Sequence, residues 1–542
     1  MIFLQGSSRI QEYKIKDFVF TKGAIMRKRW GVAVVCLLVL FTGCGRGANS
    51  QRTDAPAADN MSQEGTAESE TNNENNDITG GAIEVKINLS EKHQIIESFG
   101  TSGCWWSQYV GGWDNEYKDT GRSVRDEIAM LLFDREYGIG LSSYRYNLGA
   151  GSADSGKGNY NDPHRRAQSF ETAPFTYNWN KDANAVWFMR KAVELGVEEI
   201  IMFSNSPLER LTMNGTAQVT KGSKENILPE NYEDFARYVM DVAEHFVEEG
   251  IPVKYISPIN EPQWEWTEGQ EGCHYEPAKI PKLYRAFLTE LNSRPALEGV
   301  ALSGPESGEW KGDATLYTSA LLNDSVLGSY FDTIDNHSYW SDTASKVAFK
   351  RWMDANYPEV KLRMSEWCEM VNGSDVTMDS AFELARVLQE DLTVLDVVSW
   401  QNWVGVAPGG YRDGLIYVNE GKKTLNPLKR LWGYGNYSKF IRPGYQRVEV
   451  ADSTLKEFKP VAFTGTNDEG KKELVLVVIN ESDANKKLLL DIQGAVEYTD
   501  ISVYETSESS NLDRITNEKY GVGDAVEVGK QSITTIILSE GW

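Results

Sequence analysis

The chain has 542 residues, 41% of them hydrophobic and 25% charged, with a formal net charge of −24. That composition excludes a disordered or fibrous protein, and the acidic balance makes nucleic acid a poor partner, because a phosphate backbone calls for a basic footprint. Five Cys and five His are scattered without zinc-site spacing or a His-x-x-x-His pair, so no metal and no other cofactor is expected.

Met26-Arg-Lys-Arg-Trp30 is a basic opening, and Gly31 to Thr42 is an apolar run of secretory-signal length, too short for a membrane span. The run ends in Leu40-Phe41-Thr42-Gly43-Cys44, which resembles a bacterial lipoprotein signal, residues 26–43, with Cys44 the residue to carry the lipid. Since basic residues should begin a signal, Met26 is read as the start and 1–25 as an upstream extension. Residues 44–82 hold Asn, Glu, Ser, Thr, Ala and Asp without aromatics, a composition unable to bury a core. They are expected to form an acidic, disordered tether of about 35 residues. The expectation is an exported monomer on the bacterial cell surface, touching the membrane through its lipid only; simple secretion is the alternative.

From 95 to 440, β-rich runs alternate with helical ones. Eight strands are expected, at Ile95–Gly103, Leu141–Gly149, Glu198–Ser206, Val253–Glu261, Gly299–Glu306, Phe331–Tyr339, Val360–Trp367 and Asp396–Trp403. Helices are expected near 123–136, 181–196, 231–249, 279–293, 313–323, 343–356, 377–394 and 427–439. Eight of each closes an α/β barrel, with an open doubly wound sheet as the alternative. Long connections follow strands 1, 2, 3, 4 and 8, where barrel enzymes bind substrate. The segment 441–542 alternates as antiparallel strands, at Gln446–Val450, Val461–Thr466, Glu473–Asn480, Lys487–Ile492, Ile501–Glu505 and Ser532–Ser539, and reads as a β-sandwich side domain, to which residues 83–94 contribute a strand.

Two of the strands close on glutamates, in Ile259-Asn260-Glu261-Pro262 and Met364-Ser365-Glu366-Trp367. At the mouth of a barrel, strands 4 and 7 face each other. A carboxyl pair there suits glycoside cleavage with retention, which needs an acid and a nucleophile about 5 to 5.5 Å apart. Glu261 takes the acid/base role and Glu366 that of nucleophile. Asn260 can bond a sugar 2-hydroxyl, and Arg145, near the end of strand 2, can hold Glu366 ionised. Glu265, Glu268, Glu271 and Glu276 read as solvated loop charges, and Glu306 as poorly opposed to Glu261.

The segments Ile256-Ser-Pro-Ile-Asn-Glu-Pro-Gln263, Met364-Ser-Glu-Trp367, Ser98-Phe-Gly-Thr-Ser-Gly-Cys-Trp-Trp106, Arg145-Tyr-Asn-Leu-Gly149, Phe203-Ser-Asn-Ser-Pro207 and Ile441-Arg-Pro-Gly444 resemble glycoside hydrolase family 30. The resemblance spans roughly residues 83 to 540. It implies a (β/α)8 barrel with a side β-domain built from both ends of the catalytic region, a retaining mechanism, and an oligo- or polysaccharide substrate. It also implies that Tyr339 bonds the nucleophile. The Cys104-Trp105-Trp106 segment is similar to endo-β-1,6-galactanases; β-1,6-glucan and xylan are alternative substrates. Aromatics at strand ends are Trp105, Trp106, Trp113, Trp264, Trp266, Tyr339, Trp340, Trp367, Trp400 and Trp403. Of these, Trp106, Trp266, Tyr339 and Trp400 are expected to bind sugar, with His337 on the same face as Tyr339. A surface protein that binds glycan without cleaving it is the competing class; Ser/His chemistry lacks a Gly-x-Ser-x-Gly elbow.

Overall fold

The computed structural model describes residues 81–451, 458–494 and 496–540. The upstream extension, the signal, Cys44 and nearly all of the tether lie outside these residues. No helix among the described residues is long and apolar enough to cross a membrane.

All eight expected barrel strands form, shorter than the apolar runs that mark them. They are Ser98–Ser102, Ser143–Asn147, Glu199–Phe203, Val253–Ser257, the broken pair Ala301–Leu302 and Pro305–Ser307, Thr333–His337, Lys361–Trp367 and Ser399–Asn402. Every pairing between them is parallel. The hydrogen-bonded order begins on Ala301–Leu302 and ends on Pro305–Ser307, two pieces of one run, so the sheet closes on itself as an eight-stranded barrel. The open doubly wound alternative is thereby ruled out.

Eight helices fill the shell: Val124–Phe133, Ala183–Glu194, Tyr232–Glu248, Ile280–Asn292, Gly312–Leu322, Thr343–Asn356, Met378–Glu390 and Lys429–Ser438. Their apolar stripes face the strands. In Tyr232–Glu248, Phe235, Val239, Val242 and Phe246 recur at helical spacing and all are buried. The barrel interior is polar, unlike the branched aliphatic layers usual in such folds. Arg363 on strand 7 reaches Glu199 at 2.8 Å, Asp335 at 3.2 Å and Glu97 at 2.5 Å. Above this layer lies the mouth.

The side domain is a single nine-stranded sheet. The alternation leads to an expectation of antiparallel pairing throughout, but one pairing departs from it: Ile83–Ile95 pairs antiparallel with Gln446–Val450 and parallel with Lys486–Gln493. Because the strand arrives from the other end of the chain, no hairpin turn fixes its direction. Two of its strands, Asn511–Lys519 and Ala525–Val528, are absent from the expectation. Both lie at sheet ends, and Asn-Leu-Asp-Arg-Ile-Thr-Asn-Glu-Lys carries the charges that protect an edge rather than an alternating apolar face.

Strand Lys472–Asn480 shows how this sheet meets the barrel. Leu474, Leu476 and Val478 enter the side domain's own core, while Val475, Val477 and Ile479 join the barrel's apolar cluster with Val461, Phe463 and Ile533. A strand covered on both faces reads as an unbroken apolar run, as Leu-Val-Leu-Val-Val-Ile does. Thr535 completes the joint, donating to Asn436 O on the last barrel helix at 2.8 Å.

Candidate active site

Strand parity brings most of the polar groups together. Ser143 and Arg145 point into the barrel, whereas Tyr144 and Tyr146 pack outward on Phe133 and Phe246. Asp335 and His337 do likewise on strand 6. Glu366 breaks the rule. Arg363 and Ser365 already face inward, so Glu366 should point away, but the strand shifts register between Met364 and Trp367. This irregularity re-aims Glu366 into the mouth, a common use of a bulge beside an active site. Glu261 and Glu306 lie in the left-handed region, with φ of 43° and 59°. Non-glycine residues held there are strained and cluster at functional sites. The backbone N–H of Glu261 donates to Glu306 O at 2.9 Å, so the two turns fix each other.

One oxygen from each of Glu261 and Glu366 and one nitrogen of His337 lie within 4.8 Å of one another. Such a triad could by geometry hold a cation, but Arg145 Nη1 donates to Glu366 Oε2 at 2.5 Å and occupies that charge. Arg145 Nη2 donates to Asn260 Oδ1 at 2.8 Å and stands 3.4 Å from Glu306 Oε2. The Tyr339 hydroxyl donates to Glu366 Oε1 at 3.1 Å. His337 bridges two carboxylates, with Nδ1 3.3 Å from Glu261 Oε1 and Nε2 3.1 Å from Glu306 Oε2. Arg145, His337 and Glu306 are fully buried; Glu261 and Glu366 keep 6% and 5% exposure, enough to meet a substrate.

Burial is the main force on Glu261 and pushes its pKa up, with Glu366 adding to it against the pull of His337 and Arg145. For His337 burial opposes the charge, but Glu366, Glu261 and Glu306 outweigh it and bring the pKa up to about 10. For Glu306 burial again favours the neutral form, yet Arg145, His337 and Ser365 prevail and lower it to about 2. The mouth therefore sets Glu261, whose proton is held more tightly than usual, beside Glu366, which is bonded by Arg145 and Tyr339.

A cleft of about 540 Å³ opens over the pair. Trp264, Trp266 and Trp340 line one part of it, and Trp105, Trp403, Tyr411, Arg165 and Asp413 another. Trp266 also donates from Nε1 to Glu261 O at 3.0 Å. Trp106 and Trp400, expected on the sugar, are not in the cleft. Trp106 is 1% exposed against Phe188, and Trp400 is fully buried on Tyr434, donating to Asp391 Oδ2 at 2.9 Å. Ser399 and Gln401 take the inward positions of strand 8, so parity turns Trp400 toward the helices. Trp113 and Trp367 are also buried. Trp264 and Trp340 are 40% and 51% exposed, and Trp340 has φ of 49°, a left-handed turn that alternation along the strand cannot reveal. Glu271 is no solvated loop charge either: it is buried and accepts from the Ala150 and Ser152 amides. Cys104, Cys273 and Cys368 are unbonded thiols.

The family model for O-glycosyl hydrolase family 30 matches residues 82–320 and 317–417. The chain belongs to glycosyl hydrolase family 30. It is a glycoside hydrolase, and its family 30 relatives differ in substrate. An endo-β-1,6-galactanase of Hypocrea rufa is 26% identical over 420 residues, 72% of this chain and 79% of the galactanase. Glucuronoxylanase XynC of Bacillus subtilis (strain 168) is 23% identical over 388 residues, 67% of this chain and 78% of the relative. Among solved structures, a conserved exported protein from Bacteroides fragilis superposes with a TM-score of 0.73 at 25% identity, covering 84% of this chain and 100% of that one.

Proposed function

We propose that this family 30 enzyme cleaves within β-1,6-linked galactan by double displacement, with Glu261 as acid/base and Glu366 as nucleophile. The observation that carries the reading is the approach of these two side chains within 4.8 Å in opposed surroundings. Inverting enzymes space their carboxyls about 6.5–9.5 Å apart to admit a water, so the short separation favours retention. Glu261 accepts from His337 through Oε1, leaving Oε2 to carry a proton to the glycosidic oxygen. Glu366, its negative charge matched by Arg145, attacks the anomeric carbon as the leaving group departs. Glu261, now ionised, takes a proton from water, which breaks the glycosyl ester. Asn260 gives its carbonyl to Arg145, so its amide N–H is free for the sugar 2-hydroxyl.

Galactan is favoured by the galactanase relative together with the Cys104-Trp105-Trp106 segment. A second reading, glucuronoxylan, draws on Arg165: it lines the cleft above Trp105 at 4.7 Å and makes no ion pair among the described residues. Arg412 is unsuited to that task, being tied to Glu369 and Asp375. Residues 26–43 and Cys44 support export and lipid anchoring, which a Cys44→Ala variant would convert to release into the medium. Digestion of β-1,6-galactan, β-1,6-glucan and glucuronoxylan with product sizing tests the substrate. Short galacto-oligosaccharides, lost separately in Glu261→Gln and Glu366→Gln, are expected. Wild-type hydrolysis by either variant ends the catalytic assignment, and glycan binding without hydrolysis favours the non-catalytic class.

A further inference from the structure

We propose that Glu306 is a positioning residue for this reaction: lodged between Arg145 and His337, it neutralises their charge so that Glu261 keeps the proton it must donate. The inference rests on the reading of Glu261 as the acid.

The geometry is that of a counter-ion. Glu306 is fully buried and its Oε2 meets three partners from three strands: Arg145 Nη2 at 3.4 Å, His337 Nε2 at 3.1 Å and Ser365 Oγ at 2.5 Å. Its backbone carbonyl also anchors Glu261. Two other titratable groups face it, Asp335 from strand 6 and Tyr284 from the helix Ile280–Asn292. Asp335 is answered by Arg363, and Tyr284 donates to Ser303 O. The cluster at the mouth then holds two cations, Arg145 and His337, against three carboxyls, Glu261, Glu306 and Glu366. With Glu306 and Glu366 ionised, the cluster is neutral only if Glu261 is protonated, and a buried cluster strongly favours neutrality. Were Glu306 uncharged, the same neutrality would require Glu261 to ionise, and the acid would be lost. The low pKa of Glu306 agrees with this division of charge. Glu306 is fully buried and does not line the cleft, so it acts through its neighbours and not on the substrate.

The test is the pH profile of Glu306→Gln on two substrates: the polysaccharide the wild type cleaves, and a dinitrophenyl β-glycoside of the same sugar, whose leaving group departs without protonation. The basic limb of kcat/KM on the polysaccharide should move at least one pH unit toward acid, about a tenfold loss above the limb. The dinitrophenyl substrate should lose little. An unmoved limb, or equal losses on both substrates, overturns the proposal. If Glu261→Gln proves inactive in the same assay while Glu306→Gln keeps the wild-type profile, Glu306 alone is misassigned; an active Glu261→Gln overturns the acid assignment and the proposal with it. Should Glu306→Gln fail to fold, nitrogen NMR of the five histidines in the wild type remains decisive. One imidazole, identified by its loss in His337→Gln, should stay protonated at pH 8, and a neutral His337 there contradicts the charge division.

Discussion

Strand Lys472–Asn480 of the side domain buries Leu474 through Ile479 without a polar side chain among them, whereas the barrel mouth buries three glutamates, an arginine and a histidine almost as completely. The first region is held by area removed from water, roughly 1.5–3 kcal/mol for each large aliphatic side chain. The second is held by charges that answer one another, an arrangement that is weak evidence for stability because desolvation offsets the attraction. The difference separates scaffold from chemistry: substitutions in the strand should change how well the protein folds, and those in the mouth what it does.

Arg145→Met should break the comparison most severely, because it affects both. It leaves Glu306 and Glu366 buried without their shared cation, at a cost of about 3–5 kcal/mol in stability. Hydrolysis should fall at least a hundredfold even on a dinitrophenyl glycoside, as kinetics and thermal melting together would record. Ile479→Ala confines the damage to the scaffold. A loss of about 2–5 kcal/mol is expected in a denaturant titration, with kcat of the folded fraction unchanged. Trp266→Ala against Trp106→Phe then separates cleft from shell: the first should raise KM on the polysaccharide roughly tenfold, about 1.4 kcal/mol, and the second should leave KM alone.

The smallest expected effect is one of pH on stability. Glu271 is raised to about 7, chiefly by burial, and Asp182 to about 7 by burial with Glu271 adding to it. A carboxyl whose folded pKa exceeds its unfolded value binds its proton more tightly when folded. Its stabilisation is complete below the unfolded pKa and declines as pH rises toward 7. The melting temperature should therefore fall between about pH 4.5 and 7, and less steeply in Glu271→Gln, where the amide oxygen can still accept from Ala150 and Ser152.

The same contrast explains what could be read from the sequence. Period-2 and period-3.6 patterns fix which residues leave water, so the eight strands, the eight helices and the apolar strand 472–480 were legible. The edge strand Asn511–Lys519 was not, since its faces are both largely polar. Glu261, Glu366 and Asn260 are found together because they lie at or just past strand ends in an ordered barrel, and Arg145 joins them because strand parity turns it inward. The cleft aromatics escaped the same logic wherever the backbone left the strand: Trp340 turns left-handed, and Trp106, expected in the cleft, starts a short helix that carries it into the shell. Glu306 looked poorly placed for an acid, and indeed it faces Arg145 and His337 instead of the cleft.

The central claim, that Glu366 bonds the sugar while Glu261 supplies and removes the proton, is tested most directly by trapping the glycosyl-enzyme. A 2-deoxy-2-fluoro glycoside of the cleaved sugar with a dinitrophenyl leaving group forms the ester quickly and hydrolyses it slowly. Peptide mass spectrometry should find the added sugar on Glu366; a label on Glu261 or Glu306, or turnover to an inverted product with no label, would contradict the account.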